Sequence, residues 1–476
     1  MDHEQIKTKV FDVLKSVSDP ELGVNISDLG LIDKILVEDK QILIHLGTTS
    51  PVCPASSMMR STAKETVQNQ FPDYNVEIKA AENFKWSRDR LSTAGEKLLD
   101  MKSGTFKVDF PIATEPESAV PPKAKPAIQR VPLLLGGVIC LLMGLWTGLI
   151  RMGWDWPVKN PEWISLHGPL MVCGFLGTVI SLERAVGLEK KWGYLAPLLA
   201  AIGGISLLLA EVSSSMPMAI LTAGSFFYLA IFLTVLKTHR DFPTYIMSLG
   251  ALSWFIGNAL VLAGLYVFEI VPWWICFLVF TIAGERIELN RFLSPKSESD
   301  YFFIGIILLS IIAATISLFY PAVGTVTLGV AMLLLSVWFF LYDLAMRTIR
   351  REGLTKFIAA CLLIGYFWLG IGGIIAAIFG WLVAGPYYDA YLHAVFIGFT
   401  FSMIFGHAPI IFPGILKISI NFSRRFYMHL FLLHLGLLIR VAADLSLNWD
   451  FRLWGALISA LAVILFFLNT VISVRR

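Results

Sequence analysis

The sequence predicts a small α+β domain fused to an all-α polytopic membrane bundle of about twelve helices. Residues 1–110 are mixed in charge, with 14 Lys and Arg against 17 Asp and Glu. Five prolines follow between Pro111 and Pro126, and from Val131 the chain is almost wholly apolar. Only 15% of all residues are charged, against about 25% in soluble domains. We expect a cytoplasmic domain over 1–104, a Pro-rich linker over 105–130 and a twelve-span domain over 131–476.

Charge and cysteine content exclude several classes of protein. The net charge is +3 and no basic stripe is present, so no nucleic-acid partner is expected. The five cysteines form no CxxC pair, which argues against a disulfide framework and against a self-sufficient zinc or cluster site. The first ten residues are charged and lack the apolar core of a signal peptide. The first domain is therefore predicted to stay in the cytoplasm.

Twelve apolar stretches are long enough to cross about 30 Å of hydrocarbon, which takes roughly 20 helical residues. The predicted spans are 131–150, 164–182, 193–210, 215–236, 244–266, 271–287, 301–320, 323–345, 357–384, 389–412, 425–445 and 452–473.

The loops between these spans predict their orientation. If the first domain lies inside, the inner loops collect most of the basic residues, whereas the outer loops offer little beyond Arg151 and Lys159. An excess of Lys and Arg marks cytoplasmic loops. We expect a multi-pass protein of the inner cell membrane with both termini in the cytoplasm. The inner basic residues are Arg184, Lys190, Lys191, Lys237, Arg240, Arg286, Arg291, Lys296, Arg347, Arg350, Arg351, Lys356, Lys417, Arg424 and Arg425.

Apolar periodicity predicts the elements of the first domain. A helix is expected from about Gln5 to Val17, because apolar residues recur on one face. Two alternating strands follow at Lys34–Val37 and Gln41–Leu46, then a helix from about Pro54 to Gln70. A further strand is expected near Val76–Lys79.

Cys53 is the candidate reactive thiol. It directly precedes Pro54, a residue favoured at the first position of a helix, so the cysteine is expected at the N-cap. The helix dipole and the free backbone N–H groups there favour a thiolate. One thiolate cannot hold a cluster alone, so a second ligand would come from a partner or client chain.

Several motifs of the first domain occur together. They are Asp19-Pro20-Glu21-Leu22-Gly23-Val24, Asp28-Leu29-Gly30-Leu31-Ile32, Thr49-Ser50-Pro51-Val52-Cys53-Pro54 and a closing Trp86. Over about residues 3–100 the chain resembles the SufT/PaaD-type domain of iron–sulfur cluster assembly proteins. The resemblance implies transient handling of an iron–sulfur cluster, with cytoplasmic assembly or client proteins as partners. Cys53 matches the reactive, metal-binding cysteine of that family, and Asp19, Glu21 and Asp28 match its acidic positions. Gly47 departs from the larger apolar residue usual there.

Histidines inside the bundle are the second group of candidates, because ionisable residues within a membrane are costly and mark function. His167 and His393 are predicted at matching depth near the outer side, and His407 and His429 near the inner side. Regular α-helical rotation puts His393 and His407 on nearly one face, about 21 Å apart. Depth-matched pairs on different helices suit bis-histidine haem ligation, with an outer site and an inner site.

The membrane part resembles two related families. Twelve spans with a histidine early in the second and in the tenth resemble haem–copper oxidase subunit I, whose low-spin haem uses those helices. His393-Ala394 and Gly406-His407-Ala408-Pro409 resemble NnrS-type proteins linked to nitric oxide. This resemblance implies haem and also copper. Spans six and seven lack histidine, however, so the copper ligands of an oxidase are absent.

Other polar residues of the bundle suggest local pairing. Arg440 and Asp444 are spaced i, i+4 and are expected to satisfy each other. Glu183-Arg184, Glu285-Arg286 and Gly406-His407 end spans two, six and ten at corresponding positions. This recurrence suggests either internal triplication or ordinary chemistry of the membrane interface.

Three functions are compatible with the sequence. The first is a membrane-tethered cluster-assembly domain fused to a haem-binding module, related to nitric oxide. The second is a secondary transporter of a metal, a sulfur compound or a small solute, with the first domain as its regulatory attachment. The third is a plain anchor, for which twelve spans are more than is needed. The sequence leaves the client, the haem type and the oligomeric state open.

Overall fold

The computed structural model describes residues 2–48, 56–81, 84, 86–99, 127–209, 214–290, 297–380 and 383–475. The predicted linker 105–130 lies largely outside these residues, and so does Cys53.

The N-terminal domain has the predicted α+β architecture. Its helices are α1 (His3–Leu14), α2 (Ser56–Gln70) and α3 (Thr93–Leu99), and its strands are β1 (Ile32–Glu38), β2 (Gln41–Leu46) and β3 (Asn75–Ala80). Among the described residues the sheet has the order β1-β2-β3. β1 and β2 form an antiparallel hairpin, and β3 runs parallel to β2 because α2 crosses back between them.

The core of this domain lies between α1, α2 and the sheet. Ile6, Val10 and Leu14 on α1 are buried, as the 3.6-residue period predicts. Alternate residues of β2, including Ile42 and Ile44, face the same core. Each of these side chains is at most 2% exposed. The periodicity therefore identified the buried faces of both elements.

Steric crowding explains why a glycine occupies position 47 in this fold. β2 ends at Leu46, and the Gly47 amide donates to the Leu31 carbonyl oxygen at 2.8 Å. A Cβ atom on Gly47 would lie 2.3 Å from the Phe84 ring. The small residue leaves room for this aromatic side chain over the end of the strand.

Twelve helices among the described residues are long and apolar enough to cross a membrane, which confirms the predicted number and the multi-pass class of the protein. Spans one to twelve are Ile128–Met152, Pro161–Leu188, Lys191–Leu209, Met216–Thr238, Phe242–Leu262, Val267–Asn290, Glu298–Ile316, Pro321–Tyr342, Gly353–Phe379, Pro386–Leu416, Phe426–Leu445 and Trp449–Ile472.

Spans two, six and ten form the most enclosed part of the bundle. Their most apolar stretches are 61%, 78% and 72% buried within the protein, whereas those of spans one and four are 39% buried. Neighbouring spans pack as antiparallel pairs, such as five with six and eleven with twelve. Most side chains on the central stretches of spans two, six and ten are therefore enclosed by other helices, and these spans carry most of the polar residues discussed below.

Spans two and ten each contain a π-helical segment. These segments, Leu170–Leu176 and Ala394–Phe401, begin shortly after His167 and directly after His393. A π-helix has more residues per turn than an α-helix, so the α-helical rotation assumed between His393 and His407 does not hold. π-helical turns are rare and are frequent at functional sites.

Candidate functional site

The outer candidate pair, His167 and His393, comes together between spans two and ten. The centroids of the two imidazole rings are 6.1 Å apart, and their planes are inclined by 21°. The pairing across 226 residues of sequence follows from the packing of two enclosed helices. The sequence predicted their matching depth, and the structure adds that the rings are neighbours.

Each ring is anchored through Nδ1. The Nδ1 atom of His167 lies 2.7 Å from the Gly144 carbonyl oxygen, and that of His393 lies 2.8 Å from the Asp389 carbonyl oxygen. Because a carbonyl oxygen accepts only, Nδ1 carries the proton in each neutral ring. Nε2 then has a free lone pair, the state required of a metal ligand.

A glycine of span one, Gly148, makes room for the imidazole ring of His167. A Cβ atom on Gly148 would lie 2.6 Å from Nδ1 of His167. Gly148 therefore lets the imidazole approach the backbone of span one and reach the Gly144 carbonyl oxygen. No other residue type fits at this position without moving the ring.

Two histidines on different helices are residues of the type that hold haem iron. Two metal–nitrogen bonds of about 2 Å, together with the depth of two imidazole rings, add up to about 6 Å between ring centroids. The observed separation is 6.1 Å. The described residues include no group of three or more His, Cys, Asp or Glu side chains placed to hold a metal ion, so they offer copper no such ligand set.

Asp389 connects the histidine pair to a buried charge network. Oδ1 of Asp389 lies 3.3 Å from Nδ1 of His393. Arg440 donates hydrogen bonds to both carboxylate oxygens of Asp389. The expected pairing of Arg440 with Asp444 is wrong. Asp444 contacts Arg452 instead, with 2.5 Å between Oδ1 and Nε. Neighbours on other helices compete with the i, i+4 partner, and span eleven points Arg440 toward span ten.

The inner candidates, His407 and His429, have different surroundings. Nδ1 of His407 lies 2.8 Å from the Met403 carbonyl oxygen, and the ring is within electrostatic range of Glu183 and Arg286. His429 is enclosed by aromatic rings, with the Phe405 centroid 4.9 Å away, and its Nε2 has no hydrogen-bond partner. The inner haem site remains a prediction.

His434 has both ring nitrogens engaged. The Trp368 indole N–H donates to its Nδ1 at 3.0 Å, and Nε2 lies 3.2 Å from the Ser402 hydroxyl oxygen. This is the arrangement expected of a histidine that joins helices, and it provides a matched contrast to His393.

The recurrent inner-end positions converge on one buried cluster. Arg184 at the end of span two forms an ion pair with Glu285 of span six. Arg286, the residue that follows Glu285, pairs with Asp343, and its Nε donates to Oδ2 at 3.0 Å. His407 of span ten is coupled to the same charges. The three sequence positions thus share one location at the helix ends that contact the N-terminal domain.

The three candidate acidic residues of the N-terminal domain, Asp19, Glu21 and Asp28, each contact different groups. Oδ1 of Asp19 accepts hydrogen bonds from the backbone N–H groups of Glu21 and Leu22, at 2.9 and 3.0 Å. Asp28 accepts from Asn25 and Ser92, which ties its loop to the start of α3. Glu21 reaches the membrane domain, where its Oε2 lies 3.9 Å from Nη1 of Arg286. Sequence reasoning missed this contact.

Burial changes the protonation chemistry of two of these acids. It raises the pKa of Asp19 to about 7, and the nearby Glu21 adds to this rise while the two backbone N–H donors oppose it. Burial also raises the pKa of Glu21, against the opposing effect of Arg286. Both carboxyl groups therefore accept a proton more readily than exposed ones.

The fold and these sites define a multi-pass membrane protein with an iron–sulfur assembly-type α+β domain. Residues 130–475 match the family described as a domain of unknown function, DUF8744, and residues 7–79 match the family described as iron–sulfur cluster assembly protein. The chain belongs to the DUF8744 family, and its N-terminal domain is related to iron–sulfur maturation factors.

Three individual proteins illustrate the second relationship. The Fe-S protein maturation auxiliary factor YitW of Bacillus subtilis is 32% identical over 90 residues, covering 19% of this chain and 88% of that protein. A Fe-S protein maturation auxiliary factor of Porphyromonas gingivalis is 30% identical over 104 residues, 21% of this chain and 97% of that protein. A crystal structure of a DUF59 domain from Bacillus anthracis is 29% identical, covers 21% of this chain and 96% of its own, and has a TM-score of 0.20.

Proposed function

We propose that this protein holds an iron–sulfur cluster assembly domain at the inner face of the cell membrane and joins it to a haem-binding twelve-span module. Relatives named as Fe-S protein maturation auxiliary factors support the first half. The domain spans residues 1–104, the linker 105–130 and the membrane domain 131–476. Both termini lie in the cytoplasm, because the predicted inner loops carry the basic residues.

The assembly domain handles the cluster as cargo. Cys53 supplies a thiolate ligand to the passing cluster, and the client or assembly partner supplies the others, because one thiolate cannot hold a cluster. The test is the rate of cluster transfer from a loaded scaffold protein to an apo-ferredoxin, measured with the detergent-purified full chain. The wild type should accelerate transfer and Cys53→Ala should not. Equal rates for both proteins would remove Cys53 from this function.

One observation carries the proposal for the membrane half. The centroids of the His167 and His393 rings lie 6.1 Å apart on spans two and ten. Both rings are anchored through Nδ1, which leaves the lone pair of each Nε2 atom available to a metal. These are the two helices that hold low-spin haem in the subunit I plan that the chain resembles. Bound there, haem would supply one-electron redox chemistry without an open coordination position.

The surrounding residues prepare this site. Asp389 and the Gly144 carbonyl oxygen fix the orientation and tautomer of the two imidazoles, so the ligands are organised before the metal arrives. His167 and His393 are half-buried, so spans two and ten limit the access of water to the proposed iron site. A link to nitric oxide rests on the NnrS resemblance alone.

The absorption spectrum of wild-type protein from haem-sufficient cells tests the membrane half. A Soret band with sharp bands on reduction is expected for a haem with two imidazole ligands. Protein without a Soret band would contradict the haem proposal and favour the secondary transporter of a metal, sulfur compound or small solute.

A further inference from the structure

The inner end of the membrane domain forms a socket for the N-terminal domain. We call the four residues Arg286, Arg347, Arg351 and Thr355 the docking socket. The Thr355 hydroxyl donates to the Pro20 carbonyl oxygen at 2.9 Å. Arg351 and Arg347 donate to the carbonyl oxygens of Leu98 and Leu99, where α3 ends. Helix ends leave such carbonyl groups without partners, and cationic side chains satisfy them.

Arg286 of the docking socket is buried, and one of its N–H groups lacks a hydrogen-bond partner. Its Nε and Nη2 atoms donate to the Asp343 carboxylate at 3.0 and 3.1 Å. Its Nη1 atom is buried without a hydrogen-bond partner, and Oε2 of Glu21 lies 3.9 Å away. The Arg286 residue is 2% exposed, so water does not stabilise this remaining N–H group. Glu21 therefore provides a second anion for a guanidinium that the membrane domain leaves partly unsatisfied.

The acidic loop that carries Glu21 fits the socket in shape as well as in charge. Gly23 has a φ of +63°, which favours glycine, and a Cβ atom there would lie 3.3 Å from the Thr355 hydroxyl oxygen. The two domains share a further charged contact, in which Arg60 of α2 is 3.7 Å from Glu189, the residue after span two. The side chain of Glu21 is 11% exposed, so the loop is covered while the domain is docked.

We infer that the partner recognised by the acidic loop Asp19–Gly23 is the membrane domain itself, and that Glu21 selects the docked state by contacting Arg286. Arginines of the inner loops then have two tasks. They orient the bundle in the membrane, and Arg347 and Arg351 also bind the N-terminal domain. These contacts between the two domains involve neither a bound haem nor a bound cluster.

Hydrogen exchange in the detergent-purified full chain tests this inference. Glu21→Gln keeps the size of the side chain and removes its charge. Exchange of the backbone amides of residues 21–24 and 343–356 should become about tenfold faster or more, because undocking removes the neighbouring domain that restrains both segments. The matched control, Glu38→Gln at the exposed end of β1, should leave both peptides unchanged.

A second variant covers the case in which the Glu21 replacement unfolds its own domain. The double replacement Arg347→Ala and Arg351→Ala lies wholly in the membrane domain, and it should give the same faster exchange in residues 21–24. The amides of β2, which are protected within the N-terminal domain, should keep their slow exchange in this variant. If both variants leave residues 21–24 as protected as in the wild type, the inference is wrong.

Discussion

Arg440 and Asp389 form a two-pronged ion pair, in which Nε donates to Oδ2 at 2.7 Å and Nη2 donates to Oδ1 at 2.8 Å. The pair joins span eleven to span ten beside His393. Its carboxylate also lies 3.3 Å from Nδ1 of that histidine. The ion pair therefore contributes to helix packing and to the orientation of a candidate ligand.

Arg440→Ala should destabilise the membrane domain by about 3 kcal/mol, because it leaves the half-buried Asp389 carboxylate with only the more distant Arg452, at 3.6 Å, as a charged partner. The measurement is the apparent melting temperature in detergent. Adding Asp389→Asn to this variant should restore part of the loss, since no uncompensated charge remains. Arg151→Ala, at an exposed position, serves as the control. Equal effects of the Arg440 and Arg151 replacements would contradict the proposed contribution of the pair.

Asp19 should make the stability of the N-terminal domain depend on pH. Its pKa is raised from 3.8 to about 7 in the folded chain, so the folded state holds a proton that the unfolded state releases. This stabilisation is fully present below pH 3.8 and is lost as the pH rises through about 7. Asp19→Asn keeps the oxygen that accepts the two backbone hydrogen bonds but cannot titrate.

The comparison of wild type with Asp19→Asn isolates this effect from the other carboxyl groups. Pulse proteolysis in urea on the full chain should show the wild type losing up to a few kcal/mol relative to the variant between pH 5 and pH 8. A constant difference between the two proteins over this range would refute the raised pKa.

Cys53 should react with alkylating agents faster than a free cysteine at neutral pH. The N-cap position predicted from the sequence should lower the thiol pKa below about 8.5. The other cysteines, Cys140, Cys173, Cys276 and Cys361, are buried, so labelling of the folded protein should be confined to Cys53. The rate of labelling against pH gives the pKa, and Cys53→Ser should abolish the signal. An unshifted pKa would reduce Cys53 to a packing residue.

Residues 1–104 should fold as an independent unit. The core formed by α1, α2 and the sheet lies entirely within this segment, and Val10, Ile42 and Val67 in it are fully buried. The isolated fragment should give one cooperative thermal transition by circular dichroism. A gradual change without a transition would place the domain boundary elsewhere.

Elements that depend on local pattern were predictable from the sequence. The number of spans, the hairpin of β1 and β2 and the buried face of α1 follow from apolar length and periodicity, and the structure confirms them. Loop chemistry and a family resemblance identified Cys53 and the acidic residues, which remain candidates.

Features that depend on contacts between distant segments were not predictable in the same way. The partner of Arg440 is on another helix, where tertiary packing overrides the i, i+4 neighbour. The π-helical segments after His167 and His393 alter the rotation of both helices, and no residue type marks them in the sequence. The contact of Glu21 with Arg286 joins two domains whose relative position no periodicity encodes.

The haem site is tested most directly by the Soret absorbance per chain of His393→Ala beside His434→Ala, both purified from haem-sufficient cells. His393→Ala should lose the outer haem signal while the protein remains inserted and folded, because Nε2 of this ring is proposed as one of two iron ligands. His434→Ala should keep the signal, since both nitrogens of that ring are already bonded to Trp368 and Ser402. A wild type without Soret absorption, or an unchanged spectrum in His393→Ala, would contradict the haem site.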